Sequence, residues 1–338
     1  MRGWPSKLPS TGPRGIITVN APSTVTPIEG LRSVLQRLGS KGTVLFNDGK
    51  DQAAAAALAA KSDVALVMVG DISLEGEDRV NLSLPTVDGV KQEELVAAVA
   101  AANPRTIVVL KDGGPVLMPW LNLTPAVLEA WYPGQEDGIA VANLLFGVVN
   151  PSGKLPLSFP KLEREGPSAT TAQWPGEVRD SVRTTTYAEG LRIGYRWFDS
   201  QGTKPQFAFG FGLSYTTFTI GKLRVPKKSD GVKPVEVRFT IENTGKREGA
   251  EVAQVYVGLP ESAGEPPKRL VGFSRVTLTA GAKKTVEIVI DPNASSHPLG
   301  YWDSNLKYWV IPPGEYRIYV GNSAASAVLS GAISVGSK

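Results

Sequence analysis

The stretch DVALVMVGDISLEGEDRVNLSLP, residues 63–85, decides the fold of this chain and holds its most informative side chains. Residues 64–69 form an almost unbroken apolar run that ends at Gly70, which is typical of a buried strand in a parallel sheet. Acidic residues with one arginine among them then follow: Asp71, Glu75, Glu77, Asp78, Arg79 and, further on, Asp88. Ligands of open α/β sheets bind just beyond the carboxyl ends of the strands, so these acids are candidates for chemistry.

Helix and strand patterns alternate on both sides of this stretch. Thr26-Pro27-Ile28-Glu29 predicts a helix start, because the threonine can cap, the proline suits the first turn and the glutamate completes a capping box. Further helices are predicted at 52–61, 92–102 and up to about 146, and short buried strands at 43–46, 106–110 and 127–131. Short connections between these elements predict a mostly parallel sheet with helices on its faces.

The second half of the chain has a different character. From Asn150 to about 205 it is rich in Pro, Gly, Ser and Thr, as in a linker or a functional loop region. Beyond Ser214 short alternating strands, such as 235–242, are separated by turn signals and predict a β-sandwich of immunoglobulin or fibronectin type III kind. Without cysteine for a buried disulfide, the fibronectin-like form fits better.

The chain is therefore predicted to combine an α/β part with an all-β part. We expect four segments: an irregular N-terminal segment at 1–21, an α/β domain at 22–160, a linker or ordered loop region at 161–214 and a fibronectin type III-like domain at 215–336.

Composition narrows the function classes. The net charge of +4 is modest and Lys and Arg are scattered, so nucleic acid is not an expected partner. No apolar run approaches the ~20 residues that span a bilayer, and a membrane is not expected either. The chain has no cysteine and one histidine, His297, which nearly removes Ser-His-Asp catalysis and leads us to expect no metal and no cofactor. No secretory signal is recognisable at the N-terminus, so the compartment stays open.

The acidic loop has two interpretations. A glycosidase needs two carboxyl groups that flank the bond to be cleaved, one of which acts as a general acid and then as a base. Glu75, Glu77 and Asp78 are close enough in sequence to raise one another's pKa, and Arg79 can hold one of them ionised. From spacing alone, a solvated surface loop with ordinary ion pairs is the more frequent explanation of such a cluster.

Several longer motifs, taken in order, resemble glycoside hydrolase family 3, the β-glucosidases and their relatives. In the α/β part they are EGEDRVNLSLP at 75–85, AANPRTIVVLKDGGPVLMPW at 101–120 and EAWYPGQEDGIAVANLLFGVVNPSGKLPLSFP at 129–160. Further on they are YAEGLRIGYRWFDSQGTKPQFAFGFGLSYTTF at 187–218, IENTGKREGAEVAQVYVG at 241–258 and PPGEYRIYVGN at 312–322. The resemblance covers almost everything from about Pro22 onward.

The resemblance implies an α/β sandwich domain followed by a fibronectin type III-like domain. It also implies retaining hydrolysis of a β-linked glucoside or oligosaccharide through a covalent glycosyl-enzyme. In many members the acid/base is the first Glu of a Glu-Gly-x-Asp-Arg pattern, which here is Glu75, with Glu77 as the fallback. Asp78 and Arg79 would shape the charge and the hydrogen bonds of the substrate site.

One departure from the family is large. Its nucleophilic aspartate lies in an N-terminal (β/α)8 barrel, a fold of ~250 residues, whereas the matching region here begins near Pro22. GIITV at 15–19 is the one candidate for the opening strand of the sandwich domain. We therefore expect no nucleophile in these residues, and little activity without a family 3 barrel. Such a barrel is expected in another chain. The alternative is that this chain self-associates through the surface that would face the barrel.

Two rival hypotheses belong to other classes. The first is a non-catalytic carbohydrate-binding or scaffold protein that keeps both domains. The second is a small-molecule-binding α/β domain of flavodoxin type, which needs a phosphate-cradling Gly-rich loop after the first strand, and the sequence has none there. The sequence leaves the sugar and its linkage open.

Overall fold

The computed structural model describes residues 21–73 and 78–336. Its contacts divide the chain into two compact units, Met1–Val149 and Asn150–Lys338. The four segments expected from the sequence remain predictions. The candidate opening strand at 15–19 lies outside the described residues.

The first unit alternates helices and strands, as the periodicity predicted. In chain order its elements are α1 (Pro27–Arg37), α2 (Gln52–Ala60), β1 (Ala65–Gly70), β2 (Thr86–Val87), β3 (Val90–Lys91), α3 (Gln92–Ala102), β4 (Thr106–Lys111), β5 (Ala126–Glu129) and α4 (Asp137–Leu145).

Strands β1, β4 and β5 form a parallel sheet in the order β1-β4-β5. The register pairs Gly70 with Lys111 and Leu110 with Glu129. All three strands therefore end at one edge of the sheet. The predicted α/β class is confirmed, with the parallel sheet in the order that βαβ connections allow.

Helix α1 begins at the predicted capping box. The Thr26 hydroxyl accepts a hydrogen bond from the backbone N–H of Glu29, and the Glu29 carboxylate accepts one from the backbone N–H of Thr26 at 2.8 Å. Gly30 allows α1 to touch α4, because a Cβ at this position would lie 2.0 Å from the carbonyl oxygen of Gly138. Backbone meets backbone here, so only glycine fits.

The strand predicted at 43–46 does not form. These residues are irregular, and Leu45 is 59% exposed. Their apolar run resembles a strand, but a strand needs a neighbour to satisfy its backbone groups. Among residues 21–73 and 78–336 the sheet of this unit contains β1, β4 and β5 only, so the local pattern had no partner there.

The second unit is mostly β. After β6 (Glu177–Arg179), β7 (Val182–Thr184) and α5 (Tyr195–Gln201) come the strands of the sandwich: β8 (Phe218–Arg224), β9 (Lys228–Ser229), β10 (Val235–Asn243), β11 (Gly249–Gly258), β12 (Arg269–Leu278), β13 (Lys283–Ile290), β14 (Tyr301–Asp303), β15 (Tyr308–Val310), β16 (Gly314–Ser323) and β17 (Ser326–Val335).

Two sheets with the orders β13-β10-β8 and β12-β11-β16-β17-β9 enclose one apolar core. Strand β10 buries Val235, Val237, Phe239 and Ile241 and exposes the alternate residues, which is the predicted pattern of a strand with one buried face. The predicted β-sandwich is confirmed. In the described parts of both units, no helix combines the length and the hydropathy needed to cross a membrane.

Candidate active site

The edge where β1, β4 and β5 end collects the polar side chains of the first unit. Asp71 follows β1 directly, Asp112 follows β4 directly, and Glu129 is the last residue of β5. The parallel register brings these positions to one edge. This is the part of an α/β sheet where ligands and catalytic groups usually lie.

Asp71 is fully buried and all of its carboxylate interactions are local to this edge. One oxygen, Oδ1, accepts hydrogen bonds from the Tyr132 hydroxyl at 2.7 Å and from the Gly113 N–H at 3.0 Å. The other, Oδ2, accepts one from the Ser73 hydroxyl at 3.1 Å and lies 2.7 Å from Nη1 of Arg79. Asp71 thus ties the start of the acidic loop to the loops after β4 and β5.

Arg79 holds the other end of the acidic loop. Besides its ion pair with Asp71, its Nη2 donates a hydrogen bond to the carbonyl oxygen of Pro115 at 2.8 Å, and its side chain is 21% exposed. A guanidinium with two fixed acceptors is well suited to hold a loop, because its planar fork loses little freedom for each bond formed. The predicted site residue Arg79 therefore anchors the loop onto the sheet edge.

Asp78 is exposed and, with Arg79 and Asp71, borders a cavity of about 470 Å³. The polar side chains of Asn81, Ser83 and Thr86 also line this cavity. The two predicted acid/base candidates, Glu75 and Glu77, lie outside the described residues, so their roles stay predictions. What the structure describes is the frame on both sides of them.

Gln92 closes the same frame from α3. Its amide nitrogen donates hydrogen bonds to the carbonyl oxygens of Gly70 and Pro85, each at 2.7 Å, and its amide oxygen accepts one from the Gly70 N–H at 2.8 Å. A side chain at Gly70 would be excluded, because its Cβ would lie 1.8 Å from the carbonyl oxygen of Lys111. The segment between Gly70 and Pro85 is therefore fixed at both ends by one buried glutamine.

Asp112 and Glu129 are acids that the sequence did not single out as site residues. Burial raises the pKa of Asp112 to about 7, and the charge of Asp71 adds to this increase while Arg79 opposes it. Burial likewise raises the pKa of Glu129 to about 8, and the charge of Asp112 contributes. Their positions at strand ends are the signal that could have identified them.

Three further side chains contribute to the electrostatics of this edge. Lys111 and Asp137 are buried and form an ion pair between the end of β4 and the start of α4. Burial, and then the hydrogen bond to Asp71, raise the pKa of the Tyr132 hydroxyl. Within the described residues no group of three His, Asp or Glu side chains is arranged to hold a metal ion.

Chemically, this arrangement is a rigid support for a loop that carries carboxyl groups. Asp71 before residues 74–77 is buried, Arg79 after them is tethered, and both border a cavity large enough for a sugar ring. A general acid/base must be held within hydrogen-bond reach of the proton that it moves, and anchors at both ends of its loop serve that purpose. Within the described residues, the edge supplies carboxyl groups, a tyrosine hydroxyl, one lysine and one arginine.

Comparison with known proteins gives a consistent assignment. The family model described as the glycosyl hydrolase family 3 C-terminal domain matches residues 8–215, and the model of a fibronectin type III-like domain matches residues 251–324. Among curated proteins, thermostable β-glucosidase B of Acetivibrio thermocellus is 40% identical over 307 residues, which is 88% of this chain and 39% of that protein. β-Glucosidase B of Emericella nidulans is 39% identical over 82% of this chain and 33% of its own length.

Solved structures of β-glucosidases are also similar to this chain over part of their length. The crystal structure of DesR, a β-glucosidase from Streptomyces venezuelae in complex with D-glucose, has a TM-score of 0.77 and 44% sequence identity, over 84% of this chain and 35% of that one. The β-D-glucoside glucohydrolase of Trichoderma reesei has a TM-score of 0.81 and 31% identity, over 94% and 46%. The chain thus spans between about a third and just under half the length of these relatives.

Proposed function

The chain belongs to glycoside hydrolase family 3, whose C-terminal region it matches, and on this premise we propose that it supplies the acid/base part of a β-glucosidase active site. The observation that carries the proposal is the pair of anchors around residues 74–77. Asp71 and Arg79 bind each other at 2.7 Å and thereby hold together the two ends of the loop that contains Glu75.

In this proposal Glu75 is the acid/base and Glu77 is the fallback. The carboxylic acid protonates the glycosidic oxygen as the bond to the leaving group breaks, and the resulting carboxylate then takes a proton from the water that hydrolyses the glycosyl-enzyme. Asp78 and Arg79 shape the charge around it, which is supported by the position of both at the border of the cavity of about 470 Å³. The substrate is a β-linked glucoside or oligosaccharide.

The nucleophile of this mechanism is proposed to come from a family 3 barrel. Loss of the nucleophile in covalent catalysis costs several orders of magnitude in rate, so residues 1–338 by themselves are expected to turn over glycosides very slowly. We propose a family 3 barrel domain as the partner, with self-association through the surface that would face the barrel as the alternative. Neither nucleic acid nor a membrane has a part in the proposed reaction.

The experiment combines this chain with the barrel of a relative. Residues 22–338 replace the corresponding part of thermostable β-glucosidase B from Acetivibrio thermocellus, to which they are related at 40% identity. The same barrel is also mixed with the separate chain, and hydrolysis of a chromogenic β-glucoside is measured. Glu75→Gln should abolish the hydrolysis, whereas the matched variant Glu77→Gln should retain most of it.

Each outcome distinguishes between the alternative assignments of the acid/base. Retention of activity in Glu75→Gln together with its loss in Glu77→Gln places the acid/base two residues further along the loop. Activity in both variants refutes the assignment of the acid/base to this loop. Sugar binding in calorimetry without turnover in the chimera would favour the rival hypothesis of a non-catalytic carbohydrate-binding protein.

A further inference from the structure

The hairpin of β14 and β15 places two tryptophans side by side at the surface of the second unit. Trp302 and Trp309 are direct partners across the hairpin, and their ring centroids are 5.8 Å apart with 73° between the planes. Trp302 is 49% exposed and Trp309 is 43% exposed. Because large aromatic side chains contribute most when they are buried, a contiguous exposed group of them usually marks a binding surface.

The histidine of the chain extends this surface. His297 lies in the loop before β14, and its imidazole is stacked on the ring of Trp309, with 4.3 Å between centroids and 17° between the planes. Its backbone has a φ of +44°, a left-handed conformation that is uncommon outside glycine. We call the three rings of His297, Trp302 and Trp309 the aromatic platform.

The backbone on both sides of the hairpin is anchored to the β-sandwich. The hydroxyl of Tyr316, a fully buried residue of β16, lies 3.0 Å from the carbonyl oxygen of Leu299 and 2.8 Å from that of Pro312. Arg269 of β12 donates a hydrogen bond to the carbonyl oxygen of Gly300 at 2.7 Å. These bonds do not involve the rings of the platform, so the platform is formed before any ligand binds, which lowers the cost of binding.

The turn of the hairpin adds polar groups beside the platform. Oδ1 of Asp303 accepts hydrogen bonds from the backbone N–H of Asn305 at 2.9 Å and of Leu306 at 3.0 Å. The backbone N–H of Lys307 donates to the carbonyl oxygen of Asp303 at 2.8 Å. The side chains of Asn305 and Lys307 are exposed, so donors and an acceptor lie within a few residues of both tryptophans.

The size of the platform limits what it can bind. A large aromatic side chain offers ~150–250 Å², so the exposed part of each tryptophan is roughly 100 Å². A stable protein–protein interface takes ~800 Å² from each partner. The platform is several times smaller than that, and its extent is that of small rings rather than of a protein surface.

We propose that the aromatic platform binds a β-linked glucan by stacking its rings against the sugar rings. In a β-linked glucopyranose the ring C–H bonds are axial and the hydroxyl groups lie around the rim. Each sugar face is therefore apolar, with slightly positive hydrogens that suit the negative π face of an indole. The exposed side chains of Asn305 and Lys307 are the groups available to the rim hydroxyls.

The platform is separate from the site of the proposed reaction. It belongs to the second unit, whereas the acidic loop belongs to the first. The choice of a β-linked glucan among saccharides rests on the proposed function, whose substrate is a β-linked glucoside or oligosaccharide. A surface that keeps such a polymer attached raises the local concentration of the bonds to be cleaved.

The first test is an NMR titration of the 338-residue chain with cellohexaose, a β-linked glucan fragment. The indole N–H resonances of Trp302 and Trp309 are assigned from their loss in Trp302→Phe and Trp309→Phe. Both should shift with a Kd on the order of 1 mM, whereas the α-linked maltohexaose should bind at least about tenfold more weakly. Resonances that stay unshifted at about twenty times this Kd, or equal affinities for the two sugars, overturn the proposal.

The second test is affinity electrophoresis of variants in gels that contain hydroxyethyl cellulose. Trp302→Ala and Trp309→Ala should each lower the association constant at least about tenfold, whereas Trp302→Tyr keeps a flat ring and should stay within about threefold. Phe273→Ala, which removes a side chain that is 67% exposed on β12, is the matched control and should bind as wild type. Equal binding by Trp302→Ala and Phe273→Ala overturns the proposal. The wild-type titration decides the question if the alanine variants do not fold.

A second copy of this chain is the competing partner for the platform. If sedimentation shows a self-associating chain that Trp302→Ala converts to a monomer, and cellohexaose shifts neither indole resonance, the platform is a protein contact and the proposal is wrong. The two proposals fail separately. Retained activity in Glu75→Gln refutes the proposed function and leaves the indole titration intact, whereas lost activity in Glu75→Gln with unshifted indoles refutes only the platform.

Discussion

Replacing Gln254 should weaken the contact between the 161–214 segment and the β-sandwich. Gln254 lies in β11 and is 3% exposed. Its amide nitrogen donates hydrogen bonds to the carbonyl oxygens of Gly210 at 3.1 Å and Asn322 at 2.9 Å, and its amide oxygen accepts one from the Tyr256 hydroxyl at 2.6 Å. One side chain thus joins the 161–214 segment to β11 and β16.

The size of the effect follows from these three bonds. Gln254→Ala leaves two carbonyl oxygens and a buried hydroxyl without their partner, and each unsatisfied buried group costs ~1–3 kcal/mol. Water that enters the vacated space recovers part of this loss. We expect a destabilisation of about 3–5 kcal/mol. Tyr256→Phe removes one of the three bonds and should cost about 1–2 kcal/mol.

A second substitution, Gly210→Ala, tests the energy of the same contact. Gly210 has a φ of +80°, and a Cβ there would lie 2.2 Å from Oε1 of Gln254. Gly210→Ala therefore carries both backbone strain, ~1–2 kcal/mol, and a clash with Gln254. In the Gln254→Ala background the strain remains and the clash disappears. The double variant should be less destabilised than the sum of the two single variants by about 1 kcal/mol or more.

The assay is hydrogen exchange of the whole chain, because exchange reports local opening and does not require a chain of two units to unfold in one step. Two amides at the contact report directly: Gly210 donates to Leu155 at 2.7 Å and Phe211 donates to Ala208 at 3.0 Å. Their protection should fall in Gln254→Ala. Gln201→Ala, at an exposed position, is the matched control and should change the protection little.

Two results would refute the reasoning. If Gln254→Ala changed the protection no more than Gln201→Ala, the buried amide would not hold the segment in place. If the Gly210 and Gln254 substitutions were simply additive, the close approach of Gly210 to the amide oxygen would have no energetic consequence.

Three further predictions concern the first unit. Gly30→Ala should lower the midpoint of the thermal transition of the first unit, because its Cβ would meet the Gly138 carbonyl at 2.0 Å and overpacking of this kind costs ~1–3 kcal/mol; an unchanged midpoint would show that α1 and α4 are not in backbone contact. Thr26→Ala removes the capping box and should cost ~1 kcal/mol in the same assay, whereas Thr26→Ser should cost little. Burial raises the pKa of Glu129 from 4.5 in the unfolded chain to about 8 in the folded chain. Between these two pH values the folded state holds a proton that the unfolded state has lost, so the free energy of unfolding decreases as the pH rises from about 4.5 to about 8. Relative to wild type, Glu129→Gln should therefore gain stability from about pH 4.5 to about pH 8 and no further above it; a constant difference would contradict the burial of this acid.

Local patterns were sufficient for the elements and the fold class. The capping box at Thr26 placed the start of α1, and the apolar run at 64–69 placed β1 within one residue of Ala65–Gly70. Both patterns depend on residues within a few positions of one another, and the capping bonds and the strand conformation that they predict are local as well. The strand predicted at 43–46 failed for the opposite reason, because pairing is a property of two distant segments.

The same distinction explains which site residues could be predicted. Arg79 was identified because it stands inside a motif, and its partner Asp71 stands only eight positions before it. Asp112 and Glu129 come together because three parallel strands end at one edge, and their unpaired state depends on which cations are already bound elsewhere. A sequence pattern contains neither the register nor the pairing of charges.

The burial of unpaired acids at this edge argues for a functional role. A neutral Asp112 in place of an apolar residue lowers the stability of the folded state, since a buried polar group with incomplete hydrogen bonding costs ~1–3 kcal/mol. Natural proteins depart from such local rules mainly at functional sites. Here the departure lies beside Asp71, which, with Arg79, fixes the loop of Glu75. The proposed acid/base must give a proton and later take one back, which requires neighbours whose charge is controlled. Acids that stay neutral through burial add no negative charge beside Arg79, and they do so only below the pH at which they ionise.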